Sequence, residues 1–402
     1  MRWGGRLEEG GDNLDDGCTH QRWSGSRVAT AIGNVVLHCE PSSYHPLMGW
    51  RYRIEMIAKN IPEQEKVWAN QPDSYAILFS CVNLEKFQLP DPIFSFKAQA
   101  ADPDYGWNID CFPLADRKVV CVDQSGRAFL FDADTDPVVT MPSLNKPKWR
   151  PFSLFVPGTD NDGGDGEGSS LYIMEKSPKS EAGCSARCSD QFEAFVYRKP
   201  TVTASFMSWY CQLLPPPPYV RDYAYSQRRH RITSYAVVAG DDDGTYCLDV
   251  ASNMWSRVGE WTLPFLGKVE YVPELKLWFG LSAEDQLLAA ADLSAMDSQP
   301  ELVSSWKELE QNRLWQVTQD PQLVNLGSGI CIARFIEKLE LGGDFDNKLT
   351  WQNFVILTGV EVTKVVNHDN CSGNRNGRVE LQMTTHKSRF HLANGAYIDA
   401  VF

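Results

Sequence analysis

Short apolar runs of alternating or β-branched character, each closed by Gly, Pro, Asp or Asn, dominate the chain. A period of two with frequent turn residues predicts strands and hairpins rather than helices. The densest instance is Gly244–Leu281, GTYCLDVASNMWSRVGEWTLPFLGKVEYVPELKLWFGL, with four strand-like runs. Its first run, Thr245–Val250, closes around Asp249 and turns through Ala251, Ser252 and Asn253. It then resumes at Met254–Val258 with Trp255 and stops near Leu263 and Pro264. Gly126–Pro142 follows the same plan, with Phe131-Asp132 before the turn and Met141-Pro142 at the end.

Extending this plan along the chain predicts six meanders, five of four strands and one of three. The first takes Arg27–Cys39, Trp50–Ala58, Ser74–Cys81 and Phe87–Pro90; the second takes Asn108–Leu114, Lys118–Asp123, Arg127–Asp132 and Pro137–Met141. The third takes Phe152–Val156, Ser170–Glu175, Phe192–Arg198 and Phe206–Leu214. The fourth has only Ile232–Ala239, Gly244–Val250 and Met254–Leu263, so an incomplete blade is expected over 232–264. Lys268–Val272, Lys276–Leu281, Leu287–Leu293 and Glu301–Leu309 form the fifth. Gln322–Leu326, Ile330–Ile336, Trp351–Val362 and Arg378–Thr384 form the sixth, leaving Phe390–Phe402 as a closing strand. Trp306–Leu314 is the one stretch with a helical pattern.

Prolines that end strands stand at 90, 142, 215 and 264, intervals of 52, 73 and 49 residues. A repeat near 50 residues with almost no helix selects a β-propeller among all-β folds. The expected architecture is one propeller of kelch-like four-stranded blades over 26–402, with six blades or, alternatively, seven. Residues 1–25, rich in Gly, Asp and Arg without periodicity, are expected to be a disordered or loosely attached arm.

Composition narrows the function. The 402 residues carry a net charge of −14 and are 43% hydrophobic, enough for a large core. The acidic balance disfavours a role dominated by nucleic acid or anionic membrane. No run approaches a membrane-spanning length and no signal peptide opens the chain, so an intracellular protein, cytoplasmic or nuclear, is expected. The 11 cysteines lack any C-x-x-C pair and read as reduced thiols.

Two resemblances follow from quoted segments. Phe131-Asp132-Ala133-Asp134-Thr135 and Leu248-Asp249 with Trp255 resemble the blade endings of kelch repeats, although the kelch diglycine is missing. Over about 108–402 the chain is similar to an uncharacterised cereal-plant family of kelch-like, galactose-oxidase-like propellers. The similarity rests on KVVCVDQSGRAFLFDADT (118–135), SFMSWYCQLLPPPPYV (205–220), 244–280 of the segment above and LVNLGSGICIARF (323–335). It implies a plant origin and a propeller, and no catalytic residues.

Catalytic signatures are weak. There is no G-x-S-x-G, and the seven histidines are dispersed. Cys184 and Cys188 share a loop without the further ligands zinc requires. The acidic loop 160–167 departs from the calcium-loop order at Gly164 and Leu171. No cofactor or metal is therefore expected. Pro216, Pro217 and Tyr219 fit the P-P-x-Y pattern read by WW-type domains, whereas the plainer reading is a proline-terminated strand.

Loop parity supplies the sharper expectation. In an up-and-down meander the crossings between blades share a face with the loops between second and third strands. That face carries 145–150, 176–191, 215–231 and 337–350. Lys146, Lys148, Trp149, Arg150, Tyr219, Arg221, Arg228, Arg229 and Arg231 are the expected partner-binding residues, and an acidic peptide or protein domain is the expected partner. The expected function is a non-enzymatic interaction module. The alternatives are a propeller enzyme acting on a small molecule or glycan at the central channel, and a ubiquitin-ligase substrate receptor without a visible F-box. Nucleic-acid binding through Arg221–Arg231 is disfavoured by the acidic total.

Overall fold

The computed structural model describes residues 36–41, 52–57, 84–89, 94–97 and 109–401. Within the last range it leaves out 116, 136–137, 159–167, 202–203, 205, 224–231, 236–238, 241–243, 251, 295–297, 311–314, 327–328, 342–348, 368–377 and 394–396. The expected arm, the strand at Ser74–Cys81, the acidic 160–167 loop and Arg228, Arg229 and Arg231 lie outside the described residues.

The fold is all-β and propeller-like. Its one described helical turn is the 3₁₀ segment Pro218–Arg221. The helical reading of Trp306–Leu314 fails where it can be checked: Trp306 ends a strand and 307–310 are irregular.

Among the described residues four blade-like units follow one another, rather than the expected six or seven. The first joins β5 (Ile109–Pro113), β6 (Lys118–Asp123), β7 (Ala128–Asp132) and β8 (Val138–Thr140) in sequential antiparallel order. The second does the same with β9 (Pro151–Val156), β10 (Ser170–Glu175), β11 (Ser189–Arg198) and β12 (Ser208–Leu214). The third holds β13 (Ile232–Tyr235), β14 (Ala239–Gly240), β15 (Gly244–Asp249) and β16 (Met254–Gly259). It therefore has four strands after all, its second strand being reduced to two residues. The fourth holds β17 (Phe265–Val272), β18 (Leu277–Ser282), β19 (Leu288–Ala291) and β20 (Leu302–Trp306), and β17 pairs in parallel with β13.

The repeat has a local cause in the turn after the third strand. Asp132, at the end of β7, accepts the Asp134 amide at 3.0 Å, and Asp292, just past β19, accepts the Ser294 amide at 2.9 Å. Asp249, at the end of β15, accepts the Ser252 hydroxyl at 2.5 Å. At Asp132 and Asp292 a short carboxylate satisfies the backbone two residues on, and at Asp249 it holds a turn hydroxyl three residues on; each ties its hairpin locally.

Beyond residue 306 the blade plan gives way. β21 (Gln316–Val317) and β22 (Gln322–Asn325) both pair with β23 (Ile330–Leu341), which pairs with β24 (Leu349–Asn367), which in turn pairs with β25 (Arg378–Ala393). Strands of 12, 19 and 16 residues replace the expected Ile330–Ile336, Trp351–Val362 and Arg378–Thr384, each running on past its expected end. β24 absorbs Gly359 as a register shift between Thr358 and Val360. β3 (Glu85–Lys86) adds to β25 in parallel. The first predicted blade is redistributed too. β1 (Val36–Pro41), β2 (Tyr52–Ile57) and β4 (Phe94–Lys97) form a sheet with β26 (Tyr397–Val401), the expected closing strand.

The units stack through apolar faces. Phe112, Val120 and Val122 of the first unit pack with Leu171, Ile173 and Phe195 of the second. Met174, Phe192 and Leu214 of the second meet Ile232, Leu248 and Trp255 of the third. Phe279, Leu281 and Leu288 of the fourth pack on Leu323, Ile330 and Val360. Each fully buried Phe or Leu in these layers contributes about 1.5–3 kcal/mol. Among the described residues, no helix is long and apolar enough to cross a membrane.

Candidate functional site

Crossings between units and the hairpin loops between second and third strands lie together, as the meander's parity requires. The Leu144 amide donates to Gly126 O at 2.8 Å, the Glu181 amide to Val220 O at 2.7 Å and the Ala283 amide to Pro264 O at 3.1 Å. Gly126 is needed at its place: its φ is +84°, and an added Cβ would stand 3.0 Å from Leu144 O.

Among the described residues of this face, Lys146, Lys148, Lys176 and Arg221 have found acidic partners within the molecule. Lys148 is buried, and its ammonium pairs with the equally buried Glu193 of β11. Glu193 also accepts the Asn145 amide at 2.8 Å, Asn145 Nδ2 at 2.7 Å, the Lys146 amide at 3.2 Å and the Cys211 thiol at 3.1 Å. Burial alone would raise the Glu193 carboxyl, but the hydrogen bonds from Lys148 and Asn145 outweigh it and hold the group below its ordinary range. The thiol is pushed up to about 12 by burial and by its hydrogen bond to Glu193. Lys146 reaches Asp190 at 3.3 Å and Glu175 at 3.9 Å. Burial pushes the Glu175 carboxyl upward, against the opposing pull of Lys146 and Lys148. Lys176 bridges to Asp320 at 2.9 Å, and Arg221 reaches Glu181 at 3.4 Å.

Two expected surface residues are therefore interior. Lys148 is a core cation neutralised by Glu193, and Tyr219 is 2% exposed, packed with Val220 and Tyr246. The P-P-x-Y segment is withdrawn with it: Pro216 and Pro217 are buried and Pro218–Arg221 coils into a 3₁₀ turn, whereas a WW-type groove reads an exposed polyproline II strand. Lys146 and Arg221 are half-buried and ion-paired.

What stays outside is aromatic with a basic fringe. Trp149 is 66% exposed and Tyr223 75%, and Lys179 and Arg187 are exposed on the β10–β11 loop. The Arg150 guanidinium lies 6.0 Å from the Trp149 ring centroid, at the edge of cation–π range. Arg150 has a φ of +47°, a left-handed conformation costing a non-glycine residue about 1–2 kcal/mol. The corner is pinned from below, where Arg150 O accepts the Lys176 amide at 3.3 Å and the Asn145 and Lys146 amides are tied to Glu193.

The acidic partners Glu175, Glu181, Glu193, Asp190 and Asp320 were not singled out by motif or spacing. Glu193 had one usable signal: it is a charged residue inside an apolar run, Phe192–Val196, where a buried charge demands a counter-ion. A second buried pair, Arg334 with Glu308 at 2.5 Å, ties β23 to the crossing after β20. Among the described residues, no group of three or more His, Cys, Asp or Glu side chains is gathered as a metal site would need.

No curated protein matches the chain. A family match extends over residues 82–391, from just before β3 into β25 and through all four blade-like units. On that match, the chain belongs to DUF1668, a family of proteins of unknown function.

Proposed function

We propose that the protein is a non-enzymatic interaction module, a kelch-like propeller that binds a protein partner through the crossing face. The contact would centre on Trp149, Arg150 and Tyr223, with Lys179 and Arg187 at its rim. The carrying observation is Trp149: a large aromatic two-thirds exposed, on a left-handed corner held by buried carboxylates. Exposed aromatics set on rigid supports are the usual anchors of protein interfaces, and a strained backbone retained at a surface points to use.

The partner's chemistry follows from the charges left over. Lys146, Lys148, Lys176 and Arg221 are neutralised internally, so the face offers an apolar centre with Arg150, Lys179 and Arg187 around it. That suits a protein segment bearing an apolar side chain flanked by carboxylates better than a polyanion. The kelch-like reading rests on the repeated Asp turns and on Trp255, whose indole donates to Pro215 O at 2.8 Å and packs against Phe192.

The test is site-specific photo-crosslinking in native extract. A photoreactive residue replacing Trp149 should capture a defined partner that one replacing Val303, exposed on β20, does not. Trp149→Ala with Tyr223→Ala should abolish the capture while leaving the circular dichroism unchanged. Identical captures from both positions, or capture surviving the double substitution, would remove this surface from consideration.

A further inference from the structure

Cys111 and Cys121 face each other across the β5–β6 hairpin of the first unit, in direct register and with Sγ atoms 3.4 Å apart. The hairpin's hydrogen bonding shows which kind of pair this is. The Leu114 amide donates to Lys118 O at 2.8 Å, so Leu114 and Lys118 occupy a hydrogen-bonded site. The alternation of an antiparallel ladder then places Pro113 opposite Val119 in a non-hydrogen-bonded site, as proline's missing N–H requires, and Cys111 opposite Cys121 in the next one. Non-hydrogen-bonded pairs bring Cα atoms to about 4.5 Å, inside the span of a disulfide at about 4.4–6.8 Å. Closing the sulfurs to about 2.05 Å needs side-chain rotation and no change of register.

We propose that Cys111 and Cys121 form a reversible oxidation site, taken to an intramolecular disulfide by low-molecular-weight disulfides such as oxidised glutathione. The roles follow from exposure: Cys111 is half-buried and reachable, whereas Cys121 is fully buried. Cys111, as thiolate, attacks one sulfur of the small disulfide, forming a mixed disulfide and expelling one small thiolate. Cys121 then attacks Cys111 Sγ, forming the Cys111–Cys121 bond and expelling the second small thiolate, which takes up the Cys121 proton as it leaves. Two protein thiols are oxidised by two electrons and one small disulfide is reduced to two thiols, so the exchange balances. The closed bond would lock the first hairpin of the unit on which the Trp149 crossing is built.

The test uses the full chain, incubated with oxidised glutathione, quenched by alkylation under denaturing conditions and digested with trypsin. Cleavage after Arg117 and Lys118 puts the two cysteines in different peptides, so the bond appears as a linked pair that separates on reduction. The linked pair should accumulate in the wild type. Cys121→Ser should instead hold Cys111 as a glutathione adduct, and Cys111→Ser should leave Cys121 unmodified in the folded protein. Complete alkylation of both cysteines in wild-type protein whose exposed Cys184 has taken up glutathione would overturn the proposal. So would an unresolved adduct at Cys111 with Cys121 intact.

Discussion

Lys148 and Glu193 form a fully desolvated ion pair that fastens the crossing after the first unit to the third strand of the second. Its two ends are not equivalent. Glu193 keeps four other donors if Lys148 is lost, whereas Lys148 keeps only Lys146 O among its hydrogen-bond partners if Glu193 is lost. Glu193→Ala should cost about 3–5 kcal/mol, the range for stranding a buried charge, and Lys148→Met about 1–2 kcal/mol. Urea denaturation of the two variants measures the difference, and equal losses would contradict the asymmetry.

The lysines of the same crossing meet two carboxylates with opposite pH behaviour, Glu193 of β11 and Glu175 at the end of β10. Glu193 is held below its ordinary range, so its stabilisation is complete above the unfolded carboxylate pKa of about 4.3 and is lost as pH falls through the lowered folded value. Glu175 is pushed above that range, so its contribution is greatest in acid and is lost as pH rises through the raised folded value. Glu175→Gln should therefore compare more favourably with wild type at pH 8 than at pH 4, and Glu193→Gln less favourably. Thermal melts of both variants across that interval provide the check.

Two tyrosines four residues apart should respond differently to truncation. Tyr219, buried against Tyr246 at a ring separation of 5.4 Å, should lose about 3–5 kcal/mol on change to Ala. Tyr223 should change stability by no more than about 0.5 kcal/mol while reducing partner capture. Denaturation midpoints alone distinguish the buried residue from the exposed one.

Gly280 in β18 is set by a close approach. A Cβ there would meet Phe265 Cδ1 at 2.7 Å and Cγ at 3.0 Å, and that ring is fully buried in the fourth unit. Gly280→Ala should cost about 1–3 kcal/mol through displacement of the ring, with Phe265→Leu in the same chain recovering part of the loss. A neutral Gly280→Ala would mean that the layer yields more than its packing implies.

The blade-like units were legible because their punctuation is local. Lys118–Asp123 and Ser170–Glu175 are strands at the expected boundaries, and the Asp turns after β7, β15 and β19 are fixed within a few residues. The blade count was not legible. Whether the alternating run expected over Trp351–Val362 stops there or extends to the 19 residues of Leu349–Asn367 depends on what it packs against, and the observed strand passes through Asn353 and Gly359 without stopping. β4, at Phe94–Lys97, was missed for the opposite reason, being too short to show a period. At the candidate surface, parity joined 145–150, 176–191 and 215–231, but Glu337–Leu341 and Leu349–Thr350 of the expected 337–350 loop are strand residues of β23 and β24. Nor could parity tell a solvated lysine from one facing a glutamate in the next strand. Lys148 and Arg221 look alike as letters. Only the positions of Glu193 and Glu181 separate the buried cation from the half-exposed one.

The pairing of β26 with β1 has a consequence for the order of events during synthesis. Val36–Cys39 finds its partner in Tyr397–Val401, so the earlier strand waits for one made about 360 residues later. Until then the β1 edge is open, with unsatisfied amides and carbonyls facing whatever is nearby. Contacts that span nearly the whole chain fold slowly. The nascent protein must therefore carry an unsealed sheet edge while the other strands assemble, the kind of edge that invites pairing with another chain.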